Sequence, residues 1–196
     1  GEPKKKLTDE TMSSSSELEE LEALCPLDGR YRSRVAPLRA YFSEAALFRY
    51  RVRVEVEYLL ALRTVVPAVA SAFSKEETVA AWRGVATTFG ATEARRCKAI
   101  EARTNHDVKA VEYFLKEKYD EVVGSDDARE FVHFALTSQD VNHVAQPLAL
   151  AECARDVIVP RYAELVAALK EKAWEWRDAA MLARTHGQAA YPKNNA

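Results

Sequence analysis

The sequence predicts an all-α protein, and three observations lead to this prediction. Gly and Pro, which interrupt helices, number only 6 and 7 among 196 residues, whereas good helix formers are abundant. Apolar residues recur every three or four positions in several long stretches, as on one face of a helix. Ser, Thr and acidic residues precede several of these stretches, as is typical of helix N-termini. We expect an N-terminal helical domain followed by the first long helices of a helix-bundle domain.

Composition and charge exclude several classes of protein. A hydrophobic fraction of 48% and a charged fraction of 30% are ordinary for a globular protein. The net charge of −2 argues against binding to nucleic acid or to a membrane surface. No apolar run approaches the roughly 20 residues that span a membrane. The 3 Cys residues are far apart and lack metal-ligand spacing, so we expect a cytoplasmic protein that needs no metal or other cofactor.

The chain begins with a polar stretch, 1–16, which predicts a mobile tail. A short acidic helix is predicted at 17–24. The next residues include Pro26 and an Asp-Gly pair, which are turn residues. Arg30 and Tyr31 should therefore lie on a loop or at a helix entry.

The stretch 43–65 gives two conflicting signals. Residues 51–58 alternate between apolar and charged types, like a half-buried strand. One face of a helix would also collect five apolar residues, namely Leu47, Tyr50, Val54, Tyr58 and Ala61. We predict a helix over 43–65, because a lone strand would have no partner in this chain.

Three further helices are predicted before the first domain ends. Ser-Lys-Glu-Glu at 74–77 is typical of a capping box and opens a helix to about Phe89. Two amphipathic helices should follow at 92–103 and 108–119. Small, polar and acidic residues then mark a boundary at 124–127.

We therefore place an N-terminal domain at 17–126 and the start of a bundle domain at 127–196. In the second domain, a helical run around Phe131 should stop at 137–140. A helix from there should reach about Arg155. The next helix carries an apolar stripe that is more typical of a core or a subunit interface than of a ligand site, at Tyr162, Leu165 or Val166, Leu169, Ala173 and Trp176.

Polar residues cluster at two of the predicted helix starts. Thr137 and Asp140 form a Thr-x-x-acid box, in which the hydroxyl can accept from backbone N–H groups. Thr104 and Asp107 repeat this arrangement. Because a helix N-terminus carries partial positive charge and unsatisfied donors, each box could hold an anion such as phosphate. A third polar cluster follows the last long helix at 184–188.

Four segments, taken together, resemble one known family. They read PLDGRY at 26–31, RTNHDVKAVEYFLKEK at 103–118, EFVHFALTSQDVN at 130–142 and RTHGQ at 184–188. Segments of this kind occur in this order in the adenylosuccinate lyases of the bacterial type, within the fumarase/aspartase superfamily. Any one segment would be a weak signal, whereas the ordered set is specific.

The resemblance implies a lyase that splits adenylosuccinate into AMP and fumarate. It also implies cleavage of the succinylated carboxamide ribonucleotide (SAICAR) in purine biosynthesis. Such enzymes are all-α homotetramers in which segments of three subunits form each active site. The implied partners are these nucleotide substrates and further copies of the chain, without nucleic acid or membrane.

The resemblance also assigns roles to residues of this sequence. His186 would be the general acid and His106 a second catalytic residue beside the substrate. The implied substrate-binding residues are Arg30 and Tyr31 at the phosphate, Asn105, Asp107, then Thr137, Ser138, Gln139 and Asp140 around the succinyl group, and Thr185. His133, flanked by apolar residues, is interpreted as a hydrogen-bonded packing residue.

Elimination chemistry suits these residue types. A proton leaves the carbon next to a carboxylate while the departing purine amine is protonated. Hydroxyl and N–H donors stabilise the additional negative charge on the carboxylate. Histidine, with an ordinary pKa of about 6.5, can donate a proton near neutral pH.

The sequence departs from the family in two respects. The signature Ser-Ser and Met-Pro-x-Lys loop, which supplies the serine taken as general base, is absent from the 196 residues. After Gln188 the family normally reads Pro-Ala-Thr-Pro-Thr-Thr-Leu-Gly-Lys-Glu, and here most of that run is replaced, at Ala189, Tyr191, Lys193, Asn194 and Asn195. We therefore expect an N-terminal piece of such an enzyme that is inactive alone. The alternatives are a superfamily lyase with another substrate and a non-catalytic helical interaction fragment.

Overall fold

The structure is a computed structural model that describes residues 23–124 and 127–194. The predicted tail at 1–16 and nearly all of the predicted helix at 17–24 lie outside these residues. The chain divides into two compact units, one up to Arg39 and one from Ala40 onwards. The predicted domain division between residues 126 and 127 stays a prediction.

The described part of the first unit is a series of turns followed by a short 3-10 helix, Ala36–Leu38. The amides of Asp28 and Gly29 both donate to the Cys25 carbonyl at 3.1 Å, and the Tyr31 amide donates to the Pro26 carbonyl at 2.9 Å. The predicted loop at Arg30 and Tyr31 is thus confirmed. Both side chains are exposed.

The remaining described residues are predominantly helical, which confirms the predicted fold class. The α-helices are α1 (Arg39–Phe42), α2 (Glu44–Leu62), α3 (Pro67–Ala72), α4 (Glu76–Thr87), α5 (Ala91–Thr104), α6 (Asp107–Val122), α7 (Ser138–Cys153) and α8 (Val159–Trp176). A 3-10 helix spans Asp127–Phe131, and a π-helical segment spans Ala154–Ile158. Two strands follow, β1 (Ala180–Thr185) and β2 (Gln188–Asn194).

The larger apolar core joins α2 to α6 and extends to Val132, and a smaller cluster joins Tyr50 of α2 to Ala145 and Ala149 of α7. At the centre of the larger core the rings of Phe73, Trp82 and Tyr119 pack with centroids 5.8 to 6.0 Å apart. The Trp82 indole N–H donates to the Val56 carbonyl at 3.3 Å, so the polar atom of this fully buried side chain is satisfied. Full burial of each large side chain contributes about 1.5–3 kcal/mol.

Helix α2 confirms the predicted helix at 43–65, and the Ser43 hydroxyl caps it by accepting from the Ala46 amide at 3.1 Å. Of the five apolar residues on the predicted face, Tyr50 is buried, three are half-buried and Ala61 is exposed. The face of α2 that is most deeply buried includes Val52 and Val56 together with two charged residues, Arg51 and Glu55. A pattern of apolar residues alone could not reveal a buried face that carries charges.

Of two further predicted helix starts, one is wrong in detail and one is confirmed. Helix α4 begins at Glu76 with Lys75 as its N-cap, and no side chain caps it. Ser74 therefore lies one residue too early to form the predicted box. The new helix predicted from Asp156 and Pro160 does occur: α8 begins at Val159, and the π-helical segment Ala154–Ile158 joins it to α7. Pro160 is tolerated because it lies in the first turn of α8.

Helix α8 and the two strands are exposed along nearly their whole length. The strands form an antiparallel hairpin in which Thr185 pairs with Gln188, leaving a two-residue turn of His186 and Gly187. Both turn residues have positive φ, at 49° and 76°, as a tight hairpin turn requires. This hairpin was not predicted. Across the described ranges, no helix has the combination of length and apolarity needed to cross a membrane.

Candidate functional site

The first predicted corner lies between α5 and α6. Asn105 adopts the left-handed conformation, with φ of 52°, and its amide donates to the Glu101 carbonyl at 2.7 Å. His106 is the N-cap of α6, and its Nδ1 accepts from the Lys109 amide at 3.2 Å. The predicted cap, Thr104, is wrong because α5 continues through it, and its hydroxyl donates instead to the His106 carbonyl at 3.2 Å.

The hydrogen bond between the Lys109 amide and His106 fixes the role of each ring nitrogen. Since Nδ1 accepts a hydrogen bond from a backbone amide, the ring proton resides on Nε2 in this arrangement. About half of the His106 side chain is exposed. Its Nε2 side can therefore reach a bound molecule, as a catalytic or substrate-binding histidine must.

Asp107 connects the first corner to α2. Its Oδ2 lies 2.7 Å from Nη2 of the buried Arg51, and its Oδ1 accepts from the Val108 amide at 2.9 Å. Partial burial raises the pKa of Asp107, but the Val108 amide and the Arg51 guanidinium outweigh it and hold that pKa below its usual value. Asp107 is therefore a carboxylate at neutral pH.

The second corner is the start of α7. The Asp140 carboxylate accepts from the Thr137 amide at 2.7 Å and from the Thr137 hydroxyl at 2.8 Å. These two donors lower the pKa of Asp140. The predicted pairing of Thr137 with Asp140 is confirmed. Thr137, Gln139 and Asp140 are exposed and Ser138 is half-buried, so the segment is accessible.

Arg51 brings the two corners together. Besides its ion pair with Asp107, its Nε donates to Oδ1 of Asn142, in the second turn of α7, at 2.9 Å. One buried guanidinium thus links the start of α6 to the start of α7. Sequence reasoning missed Arg51 and Asn142, although a charged residue on a core helix was the available signal.

The loop that leads into α7 is held by α2. Nδ1 of His133 contacts the buried carboxylate of Glu55, and the Tyr58 hydroxyl donates to the Phe134 carbonyl at 2.9 Å. The predicted hydrogen bond of His133 is confirmed. The predicted helix around Phe131 is wrong: His133 and Ala135 have φ of 64° and 58°, and an α-helix cannot continue through left-handed residues.

A cavity of about 370 Å³ opens beside the first corner. It is lined by α2, α5 and the corner itself, and Arg51, His106 and Asp107 are among its lining residues. Glu44 and Glu101 also line it, and both contact Lys98 at 2.7 Å. A guanidinium, an imidazole and a helix N-terminus at one cavity are groups that recognise anions.

The structure does not join every predicted residue to these corners. Arg30 and Tyr31 belong to the first compact unit, whereas both corners belong to the second. Thr185 and His186 lie at the exposed tip of the hairpin. Within the described residues, no hydrogen bond or ion pair connects Thr185 or His186 to either corner.

Comparison with known proteins identifies the family. The model of the family described as "Lyase" matches residues 29–194. Adenylosuccinate lyase of Dictyostelium discoideum is 42% identical over 183 residues, which cover 92% of this chain and 39% of that protein. Adenylosuccinate lyase of Escherichia coli K12 is 42% identical over 181 residues, covering 90% and 39%. The chain thus spans about two fifths of the length of these relatives.

A solved structure supports the fold. The crystal structure of 3-carboxy-cis,cis-muconate lactonizing enzyme from Pseudomonas putida aligns with a TM-score of 0.57 at 20% identity, covering 81% of this chain and 34% of that one. At this identity the likeness concerns the fold alone. Since the family model covers most of the chain, the chain belongs to the lyase family, within the fumarase/aspartase superfamily.

Proposed function

We propose that this chain supplies part of the active site of a C–N lyase that eliminates fumarate from adenylosuccinate, giving AMP, and from SAICAR in purine biosynthesis. The observation that carries the proposal is the linkage of two helix starts through Arg51, in a chain 42% identical to adenylosuccinate lyases. Both corners carry polar side chains and are linked to α2. Hydroxyl, amide and imidazole groups of this kind suit a substrate with phosphate and carboxylate groups.

Each site residue has a role in this proposal. His106 faces the substrate with Nε2, and Asn105 and Asp107 on either side of it bind the substrate. Thr137, Ser138, Gln139 and Asp140 bind the succinyl part at the start of α7, and Arg30 and Tyr31 bind the phosphate. His186 is the general acid that protonates the departing amine, and Thr185 beside it binds the substrate.

The proposed enzyme is a cytoplasmic homotetramer. In support, α8 exposes a stripe of large apolar residues, and a face of this kind is typical of a subunit interface. Within one chain, no hydrogen bond or ion pair among the described residues connects His186 to the two corners. An active site formed by several subunits would place them at a common substrate.

A chimera tests the proposal. This chain would replace the matched part of the Escherichia coli adenylosuccinate lyase, and cleavage of adenylosuccinate and SAICAR would be followed by ultraviolet absorbance. We expect activity in the chimera, and a loss of 10²-fold or more in kcat for His186→Gln, as for removal of a general acid. His143→Gln is the matched control. A folded chimera that cleaves neither substrate, or that is indifferent to His186→Gln, would contradict the proposal.

The 196-residue chain alone provides a second test. Because it lacks the Ser-Ser and Met-Pro-x-Lys motif, we expect no fumarate release from it. We do expect AMP to shift the NMR resonances of His106 and of the amides at 137–140. A panel of other succinyl conjugates would reveal the alternative of a different superfamily substrate, and the absence of any response would favour the non-catalytic interaction fragment.

A further inference from the structure

The buried carboxylate of Glu55 is the least satisfied charged group in the described part of the chain. The side chain has no solvent exposure. One of its oxygens contacts Nδ1 of His133, whereas Oε2 is buried without a hydrogen-bond partner among the described residues. Because a buried carboxylate oxygen without a hydrogen bond is costly, such an arrangement persists only where the surrounding structure holds it in place.

Glu55 holds a strained segment of backbone. His133 and Ala135 both adopt the left-handed conformation, which is strained for a residue with a side chain. The loop is fixed to α2 at two neighbouring points, one turn of helix apart: by Glu55 to His133, and by Tyr58 to the Phe134 carbonyl. Only two residues separate the second left-handed residue, Ala135, from the first residue of α7.

We propose that Glu55 is a positioning residue: through His133 it fixes the loop that sets the start of α7. The proposal rests on the proposed function only in treating that helix start as part of a substrate site. Glu55 itself touches no reacting group. It determines where the Thr137–Asp140 box lies and how firmly the box is held.

The charges around His133 support a protonated imidazole. Its hydrogen bond to Glu55 raises the pKa of His133, and partial burial opposes this. From α6, Glu112 raises the same pKa and Lys109 lowers it. From α7, Asp140 experiences the charge of His133, which lowers the pKa of Asp140. Glu112 is itself paired with Lys109 at 2.7 Å, so Glu55 is the carboxylate that accepts the hydrogen bond of His133.

The sign of the resulting pH dependence follows. Since the folded pKa of His133 is raised above the unfolded value of about 6.5, its stabilising effect is complete below that value. The effect is lost as the pH rises through the folded pKa. Hydrogen-exchange protection at the start of α7, corrected for intrinsic rates, should therefore fall over this range above pH 6.5.

The test uses the 196-residue chain and NMR. Glu55→Gln keeps the shape of the side chain and removes its charge. We expect it to lower the pKa of His133 and to reduce hydrogen-exchange protection at 141–145, the first amides with acceptors inside the helix, by tenfold or more, while α4 and α5 keep theirs. The matched control is Glu57→Gln on the same helix, which removes an exposed carboxylate paired with Arg83 and should change neither quantity.

A double variant separates positioning from stability. Glu55→Leu with His133→Leu removes both buried charges, and such replacements are often neutral for stability. We expect a urea midpoint near that of the native chain without recovery of protection at the start of α7. Full protection at the start of α7, in either this variant or Glu55→Gln, would overturn the proposal. Should Glu55→Gln unfold, the result for the double variant is the deciding one. Failure of native AMP binding would instead contradict the proposed function, because the exchange readout needs no ligand.

Discussion

Arg51 is the residue on which the geometry of the site depends most. Its side chain is only 5% exposed, yet it contacts a carboxylate on α6 and an amide oxygen on α7. The guanidinium can serve both because its donors point in fixed directions. A lysine would have a single ammonium group in place of this planar fork.

Arg51→Lys should therefore separate the two corners. We expect a loss of about 1–3 kcal/mol in the free energy of unfolding, because at least one buried polar partner is left unsatisfied. Urea unfolding followed by circular dichroism measures this loss. Arg53→Lys, two residues away and half exposed in an ion pair with Glu152, should change stability by no more than a few tenths of a kcal/mol. Equal effects of the two variants would show that Arg51 does not link the corners.

The two corner carboxylates predict an acid sensitivity. Asp107 and Asp140 have pKa values below the usual 3.8, so both stabilise the folded state above the unfolded pKa. This stabilisation is lost as the pH falls from about 4 through the folded pKa values. The urea midpoint should drop over that range, and the drop should be smaller in Asp107→Asn with Asp140→Asn. An unchanged drop in the double variant would assign acid sensitivity to other groups.

At the scale of the element, helix starts differ in how they are capped. Ser43 accepts a backbone hydrogen bond at the start of α2, Asp140 serves the start of α7, and Lys75 makes no side-chain cap at the start of α4. Helix starts with a satisfied cap resist fraying because fewer amides are left without a partner.

Ser43→Ala should accordingly destabilise the chain by about 1 kcal/mol, since it removes a cap from the core helix α2. Lys75→Ala is the matched control, and it should be close to neutral because Lys75 makes no cap bond. The free energy of unfolding of both variants is measured from the midpoint of urea unfolding, provided that the dependence on urea concentration is unchanged. If Ser43→Ala proved neutral, the Ser43 contact with the Ala46 amide would contribute nothing measurable.

At the scale of the whole molecule, the exposed face of α8 sets the behaviour in solution. Tyr162, Leu165 and Leu169 are 53 to 66% exposed along one stripe, and Trp176 is 44% exposed. Apolar side chains in a continuous stripe favour association over exposure to water. A second copy of the chain can supply a stripe of the same kind.

We therefore expect the chain to self-associate in a concentration-dependent manner, as followed by sedimentation. Leu165→Glu with Leu169→Glu should shift the equilibrium towards the monomer, because a carboxylate at each position opposes burial of the stripe. Lys170→Glu, on the same helix, should leave association largely unchanged. A monomer at all concentrations tested would contradict this expectation.

Sequence reasoning was most reliable for long amphipathic stretches. The helix at 43–65 and the helices at 92–103 and 108–119 all occur, with ends shifted by a few residues. It was least reliable at the corners, where Asn105, His133 and Ala135 leave the right-handed region. Asn and His adopt this conformation more often than most residues, but contacts from elsewhere in the fold decide at which positions they do so, and Ala135 carries no such signal.

The sequence by itself determined the helical class, the two polar corners and the order of segments that marks the lyase family. These features depend on local spacing and composition, which each stretch carries within itself. Only the tertiary structure decided that Arg51 joins the corners and that Glu55 holds the loop before α7. Both are charged residues on a buried helix face, and their burial is tolerated only because partners distant in sequence, Asp107, Asn142 and His133, reach them in the folded chain.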